Sequence, residues 1–198
     1  MRQVYYAEID FGEPPSCFGP ALSKHLHTRS NEGRRKASWS AWRLLERALL
    51  EAHVSRLPTV AFLDGGKPYF LDSDLHFSVS HSGNLCAVSL SDCSTGVDVE
   101  RVRKAYSPAL VRRSLSSAER ACFDGDFTRL WCRKESMAKL TGMGLRAYPM
   151  YLDTVQARYT FSEGALCDML GNEYRICAAF EDSAERVEWI HIDIHGGF

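Results

Sequence analysis

Three features are missing from this sequence of 198 residues, and each absence excludes a class of protein. No apolar run approaches the roughly 20 residues of a membrane-spanning helix, and the opening residues MRQVYYAEID lack the apolar core of a secretory signal peptide. The seven cysteines are odd in number and show no C-x-x-C spacing, so they indicate neither a zinc knuckle nor a disulfide framework. No G-x-S-x-G hydrolase elbow occurs. We therefore expect a cytoplasmic protein with reduced thiols and no membrane association.

The spacing of apolar residues predicts strands and helices without strict β-α-β alternation, so the fold class is predicted to be α+β. The turn-rich stretches DFGEPPSCFGP and DGGKPYF separate the first elements. Helices are predicted from Ser30, from about Ser116, and from about Thr128 to Leu140. Strands are predicted at VYYAEI, LHFSVSHSG, NLCAVSLS (as a hairpin with the strand before it), GVDVE, ARYTF, YRICAAF and VEWIHIDI.

The net charge of −1 conceals an uneven distribution along the chain. Residues 101–150 carry 11 basic and 4 acidic side chains, a net charge of +7, whereas residues 151–198 carry 3 and 9, a net charge of −6. A basic middle segment suggests an anionic partner or substrate. Solvated basic residues that balance the acidic end of the same chain would explain the pattern equally well.

The stretch TGVDVERV places Asp98 and Glu100 on one face of a predicted strand, because side chains alternate along a strand. Two neighbouring carboxylates repel, and burying them without a partner is costly. Glu135 and Lys139, spaced i and i+4 on the predicted helix, could add a third carboxylate and a cation. Carboxylate ligands without His or Cys favour Mg²⁺ over zinc. An alternating strand with a solvated face and a surface Glu–Lys pair are the simpler alternatives.

Other candidate residues are basic or lie in turns. Lys67 stands in a Gly-Pro turn where it could approach a phosphate, and His81 follows Ser80 at the end of a strand. Arg34 lies near a helix N-terminus, where a cation opposes the helix dipole and so makes sense if it meets an anion. Glu119 forms a capping-box pattern with Ser116.

Read in order, the stretches GKP, FSVSHSG, GVDVE and WCRKESMAKLTGMGL resemble the four signatures of the 4′-phosphopantetheinyl transferases. The resemblance is to the larger, two-lobed surfactin-synthetase-activator type and covers Arg34 to Leu145. It implies two similar α/β lobes related by a pseudo-twofold axis, residues 1–95 and 96–198, with the active site in the cleft between them. A two-lobed chain can form its own cleft and need not assemble, so we expect a monomer, and we expect it to bind neither nucleic acid nor membrane.

The same resemblance implies an activity. The family, which includes the holo-[acyl-carrier-protein] synthases, transfers 4′-phosphopantetheine from coenzyme A to a serine hydroxyl of an apo carrier protein, releasing adenosine 3′,5′-bisphosphate. Asp98, Glu100 and Glu135 correspond to its Mg²⁺ ligands, and Glu119, Glu135 and Lys139 to its catalytic residues. The residues that correspond to coenzyme A contacts are Arg34, Arg43, Lys67, Ser80, His81, Lys134 and Lys139.

Two other functions remain open from the sequence. The chain could be a degenerate member that binds coenzyme A or a carrier domain as a regulator, although its carboxylates and Lys139 are all present. It could also be a Mg²⁺-dependent nuclease, but the usual E-x-K pair is absent, since Arg101 and Val102 follow Glu100. The sequence does not name the carrier.

Overall fold

The computed structural model describes residues 1–10, 12–15, 17–27, 31–144, 149–181 and 186–193. Within these ranges the chain is a mixture of helices and strands, as the sequence predicts. The helices are α1 (Pro20–His27), α2 (Glu32–Glu51), α3 (Pro108–Ser114), α4 (Ser117–Cys122), α5 (Phe127–Thr141) and a 3₁₀ turn at Pro149–Tyr151. The strands are β1 (Arg2–Glu8), β2 (Val60–Phe62), β3 (Pro68–Phe70), β4 (His76–Ser82), β5 (Leu85–Ser91), β6 (Thr95–Arg101), β7 (Thr160–Cys167), β8 (Glu173–Phe180) and β9 (Glu188–His191).

The described strands form two larger sheets and one small hairpin. The first sheet has the order β4-β5-β1-β9 and the second the order β6-β8-β7, while β2 pairs only with β3. The β4–β5 hairpin is confirmed, with His81 opposite Cys86. The last strand of the first sheet, β9, runs parallel to β1. A segment from the second half of the chain therefore completes the sheet of the first half.

Helix α2 covers one face of the first sheet, and α5 covers one face of the second. The other faces of the two sheets meet in a shared apolar core that includes Val97 and Val99 of β6 and Ile176 of β8. Strands β4 and β6 lie next to each other where the sheets meet. The two helices therefore stand on either side of this strand pair. Pseudo-twofold symmetry and the division at residues 95 and 96 stay predictions.

Several elements differ from the sequence prediction. Helix α1 lies directly after a segment predicted as a turn, and the strands β2 and β3 flank the DGGK turn, where only a turn was expected. Helix α2 begins at Glu32 because Asn31 caps it, with its side chain accepting a hydrogen bond from the Arg34 amide. The predicted helix start Ser30, the motif end Leu145 and the strand end Ile194 lie outside the described residues.

Helix α4 begins after Ser116 with the predicted capping box, in which Ser116 and Glu119 each accept a hydrogen bond from the other's backbone amide. No helix in the described part of the chain is long and apolar enough to cross a membrane.

Candidate active site

A cavity of about 410 Å³ lies between α2 and α5, over the adjoining strands β4 and β6. Its lining includes charged groups and three aromatic side chains, Trp42, Phe62 and Phe77, in which Trp42 packs against both phenylalanines. The cavity brings together seven of the residues predicted from the sequence. These are Lys67, Ser80, His81, Asp98, Glu100, Glu135 and Lys139.

Asp98 interacts with other charged residues of the cavity. Its carboxylate is only 4% exposed, and Oδ1 accepts hydrogen bonds from Lys139 Nζ at 2.8 Å and from Ser80 Oγ at 2.9 Å. The other oxygen, Oδ2, is buried and has no hydrogen-bond partner among the described residues. A buried carboxylate oxygen without a donor is costly. This oxygen is therefore a candidate ligand for a cation.

The Lys139 ammonium ties α5 to β6 and β4. Besides Asp98, it donates to the Val97 carbonyl at 3.0 Å and to Ser80 Oγ at 2.8 Å. All three of its protons are used in this way, so Lys139 holds both strands at the cavity floor. In the structure its ammonium is bound to the Asp98 carboxylate and to these two other acceptors. Contact with a substrate anion would require one of these bonds to exchange.

Two further carboxylates line the cavity beside Asp98. Burial raises the pKa of Glu100 above its usual value, and the nearby charge of Asp98 is the second cause of this rise. The same two causes, together with Glu100, raise the pKa of Glu135 to about 7. Like charges crowded in a partly buried space favour the protonated acid. The site therefore has an excess of negative charge that a cation would relieve.

These carboxylates do not form a finished metal cage. Among the described residues, no group of three or more His, Cys, Asp and Glu side chains stands close enough together to bind a metal ion. Mg²⁺ usually keeps several waters and binds proteins through one or two carboxylates plus substrate phosphates. An unpartnered Asp98 Oδ2 beside two acids of raised pKa fits a cation that arrives with a phosphate ligand.

Gly96 allows α5 to approach β6 closely enough to build this site. A Cβ atom at Gly96 would lie 2.1 Å from the Ser136 carbonyl oxygen and 2.5 Å from the Leu140 amide nitrogen. Sequence reasoning passed over this residue, although a glycine within a strand pattern is the usual signal of a close backbone approach.

Ser82 is the second residue that sequence reasoning missed. Its hydroxyl donates to Glu100 Oε2 at 2.9 Å, as Ser80 does to Asp98 two residues earlier. The alternation of Ser78, Ser80 and Ser82 along β4 was the available signal, since side chains two apart share a face.

Lys67 reaches the site from the turn between β2 and β3. Its ammonium donates to the carbonyl oxygen of Leu140 in the last turn of α5, where a cation also complements the helix dipole. Burial lowers the pKa of Lys67. The hairpin of the first half of the chain is thus attached to the helix of the second half at the cavity wall.

Four predicted residues are not among those that line the cavity. Arg43 forms an ion pair of 2.5 Å with Asp10, and Arg34 is exposed one helical turn before the cavity residue Ser38. Lys134 and Glu119 pair with each other at 2.6 Å, and their side chains are 0% and 1% exposed.

The hydrogen bonds of Glu119 are complete. Its Oε1 accepts from both the amide and the hydroxyl of Thr154, and its Oε2 accepts from the Ser116 amide and contacts Lys134. Lys134 also donates to the Leu152 carbonyl at 2.6 Å. The structure accounts for both side chains as an internal anchor of α5, and neither faces the cavity. A catalytic Glu119 and a coenzyme A contact at Lys134 stay untested predictions.

Comparisons with known proteins agree with the motifs. Residues 94–191 match the sequence profile of the 4′-phosphopantetheinyl transferase superfamily. The chain is 29% identical to the 4′-phosphopantetheinyl transferase AcpT of Escherichia coli O157:H7, over 92% of this chain and 96% of the relative. It is 33% identical to AcpT of Salmonella typhi, over 68% of this chain and 74% of the relative.

A further similarity covers a shorter part of the chain. The chain is 33% identical over 91 residues to the 4′-phosphopantetheinyl transferase psf-1 of Bacillus pumilus, which covers 40% of this chain and 38% of the relative. All four charged residues that β6 and α5 contribute to the cavity, Asp98, Glu100, Glu135 and Lys139, lie within the matched residues 94–191. The chain belongs to the 4′-phosphopantetheinyl transferase superfamily.

Proposed function

We propose that this protein transfers 4′-phosphopantetheine from coenzyme A to a serine hydroxyl of an apo carrier protein, with Mg²⁺ as cofactor. The observation that carries the proposal is the unpartnered Asp98 Oδ2 in a cavity shared with Glu100, Glu135 and Lys139. Membership of the superfamily supports the reaction class. The cavity supports it further, since its charged groups suit a pyrophosphate and its aromatic side chains suit a nucleobase.

The proposed reaction forms one phosphorus–oxygen bond and breaks another. The serine oxygen of the carrier attacks the β-phosphorus of coenzyme A, and adenosine 3′,5′-bisphosphate leaves with the electron pair of the broken bond. Asp98 Oδ2, Glu100 and Glu135 would hold Mg²⁺. When bound, Mg²⁺ supplies neutralising charge to the pyrophosphate oxygens.

The residues of the chain supply position and charge. Ser80 and Lys139 fix Asp98 through Oδ1, which leaves Oδ2 directed away from these bonds. Ser82 fixes Glu100. The ammonium of Lys139 lies beside the negative charge that develops on the leaving group. The serine proton passes to a carboxylate of the site, because a serine hydroxyl is a poor nucleophile at neutral pH.

Lys67 and His81 are proposed contacts of the coenzyme A nucleotide. Both line the cavity, one from the β2–β3 turn and the other from β4. Arg34 lies one turn of α2 before Ser38 on the same helix face, so its exposed side chain can reach a ligand at the cavity rim. Arg43 is occupied by Asp10, which makes it a support for the segment before α1.

The carrier is proposed to dock beside α3. This helix ends in the exposed Arg112 and Arg113 and contacts the 3₁₀ turn, whose Tyr151 is 73% exposed. A basic surface with an aromatic side chain suits an acidic amphipathic helix. Leu115, the residue after α3, is buried and belongs to the interior of the protein.

Intact-mass spectrometry of an apo carrier protein tests the proposal. The carrier is mixed with coenzyme A, Mg²⁺ and this protein, and parallel samples contain a chelator or a carrier whose acceptor serine is alanine. We expect the mass of one phosphopantetheine group on the first carrier alone. Binding of coenzyme A or carrier without transfer, across a panel of apo carriers, would support the regulator instead.

A further inference from the structure

The turn between β4 and β5 is held by a group of residues outside the cavity, which we call the turn clamp: Asn84, Asp168, Asn172 and Tyr174. Gly83, in this turn, has a φ of +55°, and a Cβ atom there would lie 2.4 Å from Tyr174 Oη. The next amide, of Asn84, donates to Tyr174 Oη at 2.9 Å. Only glycine suits this position, because the tyrosine hydroxyl occupies the space of a side chain.

Asp168 completes the turn clamp from the β7–β8 loop. Its Oδ2 accepts from the Tyr174 hydroxyl at 3.1 Å, from Asn84 Nδ2 at 3.0 Å and from Asn172 Nδ2 at 2.8 Å. Burial raises the pKa of Asp168, but hydrogen bonds from Asn172, Asn84 and Tyr174 outweigh that effect and hold its pKa at about 2. The carboxylate is therefore ionised and fully engaged at neutral pH.

The turn clamp is connected to the cavity through Ser82, the last residue of β4. Ser82 donates to Glu100 Oε2 at 2.9 Å and accepts from the Arg101 amide at 3.2 Å. Arg101 is the residue that pairs with Tyr174 between β6 and β8. The hydroxyl of Tyr174 thus binds the turn. Its backbone lies opposite Arg101, the residue next to Glu100.

A shift of the turn would move Ser82 and His81 relative to Glu100, because one short strand carries both. We propose that Tyr174 and Asp168 are positioning residues of the active site, which set the distance between the end of β4 and the carboxylate of Glu100. They act through Ser82 and His81 and touch no substrate. The kinetic part of this inference rests on the proposed function, but its structural part does not.

Tyr174→Phe tests the inference, since it removes the hydroxyl and keeps the buried ring. We expect amide hydrogen exchange, followed by nuclear magnetic resonance, to become about tenfold faster at Asn84 and Arg101. Below the unfolding temperature, kcat should fall roughly tenfold, since small displacements of reacting groups cost this much or more. The KM for coenzyme A should rise severalfold through His81, and the KM for the carrier should stay unchanged.

Tyr5→Phe is the matched control. Tyr5 is equally buried in the core beneath α2, and its hydroxyl donates to Gln3 at 2.8 Å, on the first sheet. We expect it to lower the unfolding temperature and leave the kinetics and the exchange of Asn84 unchanged. If both variants lost stability and neither changed kcat or exchange at Asn84, Tyr174 would be structural only and the inference would be overturned.

Asp168→Asn provides a second variant in case Tyr174→Phe does not fold. It keeps the shape of the side chain but removes the charge that accepts from Tyr174, Asn84 and Asn172, so we expect the same pattern of kinetic and exchange changes. If the wild-type protein transferred nothing to any carrier, the proposed function would be wrong. Exchange at Asn84 and Arg101 would still decide whether the turn clamp controls the end of β4.

Discussion

Helix α5 carries two lysines, each of which pairs with a carboxylate from another element, and the two pairs differ in their surroundings. Lys134 pairs with Glu119, and both side chains are buried with their hydrogen bonds complete. Lys139 pairs with Asp98 at the cavity, where Asp98 Oδ2 is left without a partner among the described residues. The carboxylate of Glu119 has its hydrogen bonds complete, whereas Asp98 has one oxygen, Oδ2, that could bind a ligand.

Their places on the helix explain the difference. Lys134 and Glu135 are consecutive, and consecutive residues of an α-helix point about 100° apart. Lys134 therefore faces α4 and the segment around Thr154, while Glu135 and Lys139 share the face towards β6 and the cavity. Completeness of hydrogen bonding separates a structural pair from a candidate functional pair more sharply than charge or burial does.

The largest effect should follow from Asp98→Asn. This change keeps the size of the side chain but removes the charge of the unpartnered oxygen, so several kcal/mol of transition-state stabilisation are lost and transfer should fall by about 10³-fold or more. Steady-state transfer and thermal unfolding would be measured together. Asp92→Asn, at a carboxylate that pairs with the chain's amino terminus, should leave transfer unchanged. Near wild-type turnover of Asp98→Asn at limiting Mg²⁺ would refute the metal assignment.

Changes to the buried Lys134–Glu119 pair should lower stability rather than transfer. Lys134→Met leaves the Glu119 carboxylate buried without its cation, which should cost about 3–5 kcal/mol of the free energy of unfolding. Adding Glu119→Gln removes the unpaired charge and should recover most of this loss in denaturant titrations.

The same double variant distinguishes an anchor from a base. If Glu119 only anchors α5, the folded double variant should transfer phosphopantetheine at a rate within severalfold of the wild type. A double variant of wild-type stability that transferred nothing would make Glu119 catalytic, as the family resemblance implies.

Local patterns in the sequence predicted the strand β6 with its carboxylate face, the β4–β5 hairpin and the helices α4 and α5 closely. Each of these depends on side-chain period and capping, which a short window of sequence contains. The meeting of β4 with β6 depends on contacts between distant segments. The same holds for Glu119. The sequence reveals its capping box with Ser116, but it does not reveal that Glu119 is buried against Lys134.

Two particular residues illustrate what was out of reach. Leu115 directly follows α3 and its exposed arginines, yet it is buried. The family resemblance makes Arg43 a coenzyme A contact, which stays an untested prediction; in the structure Arg43 pairs with Asp10, 33 residues earlier. The partner of Arg43 lies far along the chain, so a short window of sequence does not reveal the pair.

A smaller effect is expected at Glu135, and it concerns stability. Its pKa is raised to about 7 in the folded protein from an ordinary 4.5, so the folded state binds more protons between these values and stability falls as the pH rises through this window. In the presence of a chelator at pH 7.5, Glu135→Gln should therefore be more stable by about 1–2 kcal/mol, a rise in Tm of about 3–6 °C.

The pH profile and Mg²⁺ provide the checks on this prediction. Between pH 4.5 and 7 the gap between Glu135→Gln and the wild type should open, and added Mg²⁺ should stabilise the wild type more than the variant. Glu51→Gln, at the exposed end of α2, controls for the loss of one charge. Parallel pH profiles for the wild type and Glu135→Gln would mean that the carboxylates do not crowd one another.

The smallest effect should be on the rate at which the protein associates with the carrier. Arg112 and Arg113 are exposed, so their charges act over about 8 Å at physiological ionic strength and mainly set the association rate. Arg112→Glu with Arg113→Glu should raise the KM for an acidic carrier roughly tenfold at low salt and flatten its salt dependence, while the KM for coenzyme A stays the same. Lys24→Glu with Arg56→Glu makes the same change of charge on the first half of the chain and should alter neither constant. Leu115 is buried, whereas Tyr151 beside α3 is exposed, so Tyr151→Ser should weaken the carrier interaction without changing the salt slope. An unchanged salt slope in the arginine variant, or equal losses for both substrates, would place the docking surface elsewhere on the molecule.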